Sequence, residues 1–474
     1  MQQLAGSDAI FLSLETDTTH AHIGAVMVVE PKSADFGFER FARQCAERLP
    51  LAPRFTSKLR EVPFGLDRPY MIDDVHFDVS NHLHRVAVPS PGTLRELAAL
   101  VGNLYSAKID RRRPLWEMWW IEGLERGRVA ILSKTHHCLI DGMSGVGLAE
   151  LLCDTQPDPP PRPRGPAKPR PQREREPSDF ELYLGGLWHS FGTPLRVARY
   201  LGQAASRGIA MLPYARKSPS LAVPKLSFNA DIGPRRSVAW TSVSLSDIRA
   251  LKKHFDVKVN DVVLELCASA VRRYLIAQGE LPAQPLVVAV PVSTRAADDK
   301  QLGNQVGSMM IGWATDLADP VERLKRIGEN SAHAKEMSEA LRAREIQAMG
   351  DTVSPAVLNL AYRMLSATSA AVPLAANATV SNVPGPPIPI YLAGGRIEAT
   401  YPVSIIMPGM GLNVTVVSYV DRVDFGFTVD PDLVPDPWYL SEGIPIALEE
   451  LKDATGIDRA TPLRPNPNKE GDRR

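Results

Sequence analysis

Cysteine is scarce in this chain: four residues in 474 (Cys45, Cys138, Cys153 and Cys267), with no pairing pattern. That excludes a disulfide-stapled scaffold and suits a reducing compartment. Long apolar runs are also missing, and none reaches the roughly 18 uninterrupted residues of a membrane-spanning helix. Met1 to Asp8 has neither a basic start nor an apolar core, so no secretory signal is expected. Excess charge of either sign is absent, with 54 basic and 54 acidic residues. A neutral chain has no global electrostatic claim on nucleic acid or on an anionic membrane, so any lipid contact must be local and apolar. The chain is expected in the cytoplasm, or touching a membrane from the side.

What is present is an ordinary globular composition, 44% hydrophobic and 23% charged, long enough for two or three domains. Ten residues organise it, Lys-Thr-His-His-Cys-Leu-Ile-Asp-Gly-Met from Lys134 to Met143. Arg128 to His136 alternates like a half-buried strand. Gly142 and Gly145 mark a turn, and Met143 to Asp154 has helical spacing through Val146, Ala149, Leu151 and Leu152. Two histidines therefore stand where a strand ends and a helix begins, with the Asp141 carboxylate just beyond them. Consecutive strand residues point to opposite faces, so His136 and His137 cannot both face one reactant, and one of them is structural.

A neutral imidazole at the mouth of a cleft can take a proton from an alcohol or amine and later give it to a leaving group. Asp141 either caps the following helix or meets an arginine. The competing reading is a pair of ordinary strand-end histidines followed by a helix cap. A zinc site lacks ligand spacing, because Cys138 stands alone. A nucleophilic serine or cysteine lacks any G-x-S-x-G or comparable frame.

The stretch from His136 to Gly142 resembles the HHxxxDG motif of the CoA-dependent acyltransferase superfamily, which includes chloramphenicol acetyltransferase and peptide-synthetase condensation domains. Arg113-Pro114-Leu115-Trp116-Glu117 resembles the PLW motif of the bacterial wax ester synthase/diacylglycerol acyltransferases. Asn260-Asp261-Val262-Val263-Leu264 is similar to their NDVVL motif. Val290 to Arg295, Gly303-Asn304 and Ser381 to Pro386 follow in that family's order, so the resemblance runs from about Leu4 to Leu451.

The resemblance implies an α/β fold of two chloramphenicol-acetyltransferase-like domains with mixed sheets, facing each other across a central substrate tunnel. It implies His137 as the general base, with His136 beside it and Asp141 and Gly142 as structural support. Arg54 is the candidate partner of Asp141, as in condensation-type relatives, or else one surface charge among many. Asn260 and Asp261 become supporting residues of the site, although Asn260 is also placed to cap a helix. Asn382 either steadies an oxyanion or makes a turn. Pro114, Leu115 and Trp116 are candidates for the tunnel wall, and Trp116 equally for the core. No cofactor and no metal is expected. Acyl-CoA is a substrate, and the implied reaction makes triacylglycerol from diacylglycerol. A fatty alcohol acceptor, giving a wax ester, is the alternative, as is a non-catalytic lipid-binding member of the fold. Contact with the cytoplasmic membrane or lipid droplets goes with such substrates; nucleic acid does not.

Along the chain, residues 1–155 form the expected amino-terminal acyltransferase domain. Within it, short helical Ala9 to Leu14, strand Ile23 to Val29 and amphipathic helices at Phe38 to Leu49 and Leu94 to Tyr105 stand out. Phe77 to His82 reads as a strand edge running into a turn, and His82 and His84 as structural. The arginine run Arg111 to Arg113 suits a CoA phosphate or a solvated loop. Pro157 to Pro171 holds eight prolines in fifteen residues, so 156–178 is expected as an extended linker. Phe180 to Tyr214 has helical spacing with a basic face, so 179–221 is expected as a helical connector lying over the protein or on a membrane. The carboxy-terminal domain is expected over 222–460, with helices at Ser246 to Phe255, Asp261 to Ala277, Asp319 to Glu345 and Pro435 to Asp453. Pro355 to Leu374 reads as a partly buried helix, and Leu412 to Tyr419 with Arg422 to Val429 as a hairpin. Asp424-Phe425-Gly426-Phe427 is similar to a structural segment of the plant enzymes. A disordered tail is expected over 461–474.

Overall fold

The structure, a computed structural model, describes residues 1–139, 148–160, 175–191, 223–293, 306–341 and 376–455. Asp141, Gly142, Gly303, Asn304, most of the proline-rich linker, the later part of the connector, Pro355 to Leu374 and the tail lie outside the described residues.

The chain opens on β1 (Gln2–Gln3) and α1 (Gly6–Leu14), then β2 (His22–Pro31), α2 (Phe38–Arg48), β3 (Ser57–Arg60), β4 (Tyr70–Asp73) and β5 (Leu83–Ala87). Helix α3 (Leu94–Ser106), β6 (Trp116–Glu122) and β7 (Val129–His136) complete the first half, and α4 (Asp179–Phe191) follows. The second half runs β8 (Ser237–Ser244), α5 (Leu245–Phe255), α6 (Val259–Gln278), β9 (Val287–Ser293), β10 (Val306–Gly312) and α7 (Pro320–Leu341). It ends with β11 (Ala378–Pro384), β12 (Tyr391–Leu392), β13 (Gly395–Val403), β14 (Leu412–Tyr419), β15 (Arg422–Val429) and α8 (Pro437–Thr455).

Two six-stranded sheets carry the molecule, ordered β12-β13-β2-β7-β6-β5 and β10-β9-β11-β14-β15-β8. Both are mixed: β5 runs parallel to β6, and β11 runs parallel to β9 and β14, while the other pairs are antiparallel. The expected split at residue 222 does not divide the sheets, because β12 and β13 of the second half pair onto β2 of the first. The reason is packing. Along β7, Val129 and Ile131 enter the core on the α2 side, while Ala130 and Leu132 enter the core on the α3 side. A sheet buried on both faces needs covered edges, and β13 supplies one.

The sheets meet where β13 crosses β15. A Cβ on Gly426 would lie 1.9 Å from the Pro402 carbonyl oxygen, so only glycine allows this approach. Beside it, Asp424 Oδ2 accepts the Thr400 N–H at 2.8 Å, and Asp424 Oδ1 accepts the Ser242 hydroxyl at 2.6 Å. The Asp424 to Phe427 segment is thus a structural clamp between the sheets.

Two sequence expectations are corrected locally. Phe77 to His82 is not a strand edge: Asp78 accepts the Ser80 N–H at 2.9 Å and starts a 3-10 turn, Val79–Asn81, before β5. Asn260 does not cap α6, which begins at Val259; instead Asp261 reaches back to accept the Lys258 N–H at 2.9 Å. Ser244 caps α5, accepting from the Asp247 N–H at 3.2 Å.

Candidate active site

His136 is the last residue of β7, opposite His22 on β2, and its side chain is 1% exposed. Its N–H donates to the Leu115 carbonyl at 2.9 Å, and its own carbonyl accepts the Leu139 N–H at 3.0 Å. The Cys138 N–H donates to His136 Nδ1 at 3.2 Å. An accepting Nδ1 puts the proton of the neutral ring on Nε2. That nitrogen faces Glu15 Oε2 at 3.7 Å. Burial lowers the pKa of the ring, which therefore stays neutral. With one lone pair taken and the other nitrogen protonated against a carboxylate, His136 has no basic nitrogen to offer a reactant.

His137 differs in every respect. It lies in the turn beyond the strand, is half-buried, and donates its N–H to the Ala21 carbonyl at 2.8 Å. Its ring lies flat on Phe11, with centroids 3.8 Å apart and planes 9° apart. The expectation that the two histidines face different surroundings agrees with this geometry.

Helix α1 underlies the described part of the turn, His137 to Leu139, a role that no sequence signal announced. Asp8 and Phe11 share a face of this helix at i, i+3 spacing, and Glu15 is the residue at which it ends. Buried Asp8 accepts from Arg54 Nη1 at 3.2 Å, and the same nitrogen donates to the Leu139 carbonyl at 3.3 Å. Phe11 supports His137, and Glu15 faces His136. Arg111 holds Glu15 in turn, donating from Nε at 2.9 Å and Nη2 at 2.5 Å to Oε2, and from Nη2 to the Leu12 carbonyl at 3.0 Å. Burial pushes the Glu15 carboxyl up, but His136 and Arg111 outweigh it and hold the group at about 2. Arg54 is thus engaged with Asp8 and with the turn, while Asp141, its expected partner, lies outside the described residues. Arg111 is likewise committed to Glu15, while Arg112, its side chain 90% exposed, pairs with Asp110 at 2.9 Å on the surface.

Pro114, Leu115 and Trp116 are buried against the same turn. Trp116 is closed from solvent, donates its indole N–H to the Phe55 carbonyl at 2.8 Å and stacks on His82 with centroids 4.5 Å apart. His82 Nδ1 lies 2.8 Å from the Trp116 carbonyl oxygen, which makes that histidine a core residue. Packing, with Leu115 fixing the His136 backbone, is the role the structure gives the three.

In the second half, Asn382 on β11 and Asn260 at the start of α6 come together, Asn382 Nδ2 donating to Asn260 Oδ1 at 3.3 Å. Asp261 is buried with its Oδ1 unpartnered. All four cysteines are buried and outside disulfides, and burial raises the pKa of Cys138, so a thiolate nucleophile is disfavoured there. Among the described residues no group of three metal-capable side chains occurs, and no helix is long and apolar enough to cross a membrane.

The fold is that of the acyltransferases related to chloramphenicol acetyltransferase. A trichothecene 15-O-acetyltransferase from Fusarium sporotrichioides shares it with a TM-score of 0.59 at 10% identity, over 95% of this chain and 94% of that one. The wax ester synthase/diacylglycerol acyltransferase from Marinobacter aquaeolei VT8 is nearer, with a TM-score of 0.70 at 28% identity over 96% of this chain and 100% of that one. Residues 4–263 match the wax ester synthase/diacylglycerol acyltransferase catalytic domain, and residues 302–452 match the C-terminal domain of the same family. A Mycobacterium tuberculosis protein named "Probable diacylglycerol O-acyltransferase tgs2" is 34% identical over 465 residues, covering 96% of this chain and 100% of that one. The chain belongs to the wax ester synthase/diacylglycerol acyltransferase family and is an acyltransferase.

Proposed function

We propose that the enzyme moves a long-chain acyl group from CoA to the free hydroxyl of diacylglycerol, making triacylglycerol, with His137 as general base. The observation that carries the assignment of the base is the contrast between the two rings: His136 is neutral, buried and committed at Nδ1, while His137 is half-exposed on the turn. The acceptor is taken from relatives named diacylglycerol O-acyltransferases that match nearly the whole chain.

In this reading His137 takes the hydroxyl proton as the oxygen attacks the thioester carbonyl. The tetrahedral oxyanion collapses, the carbon–sulfur bond breaks, and His137 returns the proton to the CoA thiolate. A positioned base supplies roughly 10² to 10⁴ in rate, and orientation with oxyanion donors supplies more. Asn382, held by Asn260, is the candidate donor, since a carboxamide carries two N–H groups and the pair uses one. No covalent enzyme intermediate is required. A fatty alcohol acceptor is the second reading, supported by the likeness to the Marinobacter protein, which is named a wax ester synthase as well as a diacylglycerol acyltransferase.

Contact with a lipid surface belongs to the same proposal. Helix α4 packs through Leu182 and Gly186, the latter against Val62 and Leu66. Its outer stripe, Phe180, Leu184 and Trp188, is exposed at helical spacing, with Phe64 alongside at 81% exposure.

Labelled palmitoyl-CoA offered with diacylglycerol or hexadecanol, to wild type and His137→Ala side by side, tests the function. Triacylglycerol that disappears in the variant supports the reading. Wax ester alone reassigns the acceptor, and no product from folded wild type rejects both.

A further inference from the structure

We propose that Glu15 and Arg111 act as one positioning pair, fixing the ring of His136 and through it the turn that presents His137. The inference rests on the reading of His137 as the reacting histidine and adds residues that no motif marks.

The contacts run in sequence from Arg111 through Glu15 to His136. Arg111 grips Glu15 Oε2 with two nitrogens, at 2.9 and 2.5 Å, while also donating to the Leu12 carbonyl at 3.0 Å. The carboxylate is therefore tied to the same helix that stacks Phe11 on His137. Glu15 Oε2 in turn lies 3.7 Å from His136 Nε2, on the side of the ring away from the Cys138 N–H. His136 also closes the turn, since its carbonyl accepts the Leu139 N–H at 3.0 Å. A ring held from both sides fixes its own backbone, and the next residue in that backbone is His137.

The arrangement is costly unless it has a use. Glu15 is 4% exposed, and a buried carboxylate is tolerated only when paired. Arg111 also reaches Glu61 at 3.2 Å, on the outside of the cluster. Among the described residues, His22, opposite it on β2, and the Cys138 thiol also stand beside His136, and burial keeps both neutral, while His20 and Lys134 interact with Glu15. Glu15 and Arg111 are thus the charges to which the ring responds, and they act on it in opposite senses: the carboxylate favours its protonated form and the guanidinium disfavours it.

The test uses Glu15→Gln, Arg111→Gln and the double variant in the full-length protein. The histidines are ¹⁵N-labelled, and ring titrations are followed by NMR without substrate. The His136 midpoint is expected to move down in Glu15→Gln and up in Arg111→Gln, whereas a merely structural loss would move both the same way. In turnover with palmitoyl-CoA, each single variant is expected to lose roughly tenfold to a hundredfold in kcat with KM little changed, as a displaced catalytic group does. The double variant is expected to lose no more than the worse single, the mark of residues acting as a unit. Midpoints that stay put or move together, or a kcat within about twofold of wild type in the single variants, overturn the pair. Should wild type turn over neither acceptor, the acyl-transfer reading fails while the titrations still decide the pairing. Should a glutamine variant fail to fold, Arg111→Lys keeps the charge but not the two-pronged grip, and is expected to lose kcat while leaving the His136 midpoint in place; no loss of kcat there overturns the pair.

Discussion

Phe11 and His137 lie ring on ring, 3.8 Å between centroids and 9° from parallel, although they stand 126 positions apart in the sequence. A flat apolar face against an imidazole fixes its rotation while leaving the ring edge, where the nitrogens are, turned elsewhere. Such a stack contributes about 0.5–1.5 kcal/mol. Phe11→Ala is therefore expected to lower kcat about tenfold with a small fall in melting temperature, because the ring gains rotational freedom at the moment of proton transfer. Phe11→Tyr keeps the face and should keep most of the rate. Steady-state kinetics on the two variants check the contrast; equal losses would show that ring stacking is not what matters at this position.

The two histidines should separate cleanly by assay. His137→Ala is expected to lose roughly 10² to 10⁴ in turnover, with a melting temperature close to wild type, because its ring is half-exposed. His136→Ala removes a buried ring that accepts the Cys138 N–H and faces Glu15, so it is expected to cost about 2 kcal/mol or more in stability. Calorimetry beside the acyl-transfer assay distinguishes them. A His136→Ala protein as stable as wild type would remove the structural role assigned to that ring.

Local pattern made much of the fold legible. The hairpin of β14 and β15 has the expected limits, Leu412–Tyr419 and Arg422–Val429, because period-two alternation is a property of neighbouring residues. The strand ending at His136 follows from the same rule, whereas His137 stands in the turn beyond it, where alternation no longer applies. What stayed hidden depends on contacts distant in sequence. Glu15 and Arg111 are 96 positions apart, and nothing in either segment announces the other. The addition of β13 to the first sheet is of the same kind, a pairing between halves that periodicity within one strand cannot disclose. The misplaced cap at α6 is a different failure: Asn260 and Asp261 are both capping residue types, and only the backbone decided between them.

Acid sensitivity follows from the held carboxylate. The pKa of Glu15 falls from 4.5 to about 2 on folding, so its stabilisation is complete above the unfolded value and is lost as pH drops through about 2. A shift of that size corresponds to about 3 kcal/mol. Glu15→Gln is expected to be less stable than wild type at neutral pH, with the gap narrowing between pH 4.5 and 2 as the wild type protonates. Melting temperatures across that range test the sign. A gap that stays constant would mean that the carboxylate charge contributes nothing to the fold.

Gly426 should tolerate no side chain. A Cβ there would stand 1.9 Å from the Pro402 carbonyl oxygen, and backbone atoms of two strands fixed in crossing sheets cannot yield as a flexible side chain can. Gly426→Ala is expected to cost about 3 kcal/mol or more by forcing the two sheets apart. Denaturant titration measures it. Gly443→Ala is a useful contrast, since its added carbon would meet Ala270 at 3.0 Å and a small shift of α8 against α6 relieves it at lower cost.

The outward stripe of α4 leads to a prediction about substrate access. Trp188 is 79% exposed and Phe180 67%, on a helix whose opposite side is fastened by Gly186 and by the ion pair of Arg60 with Asp179 at 2.8 Å. Large aromatics held outward on a secured helix match an interfacial anchor better than a loose surface segment. Near-neutral net charge makes the attraction apolar, so salt should affect it little. A Phe180→Ser/Trp188→Ser double variant is expected to bind diacylglycerol-containing vesicles or emulsions at least tenfold more weakly, since each fully buried aromatic contributes about 1.5–3 kcal/mol. Turnover on a short-chain, water-soluble acceptor should be unchanged, because the stripe belongs to α4, whereas Phe11, Glu15 and Arg111 hold the histidine turn from α1 and the segment before β6. Sedimentation with vesicles at low and high salt, paired with the two assays, reads all three expectations. Binding that survives the double variant, or that collapses in salt, would move lipid contact away from this helix and onto charged segments of the chain.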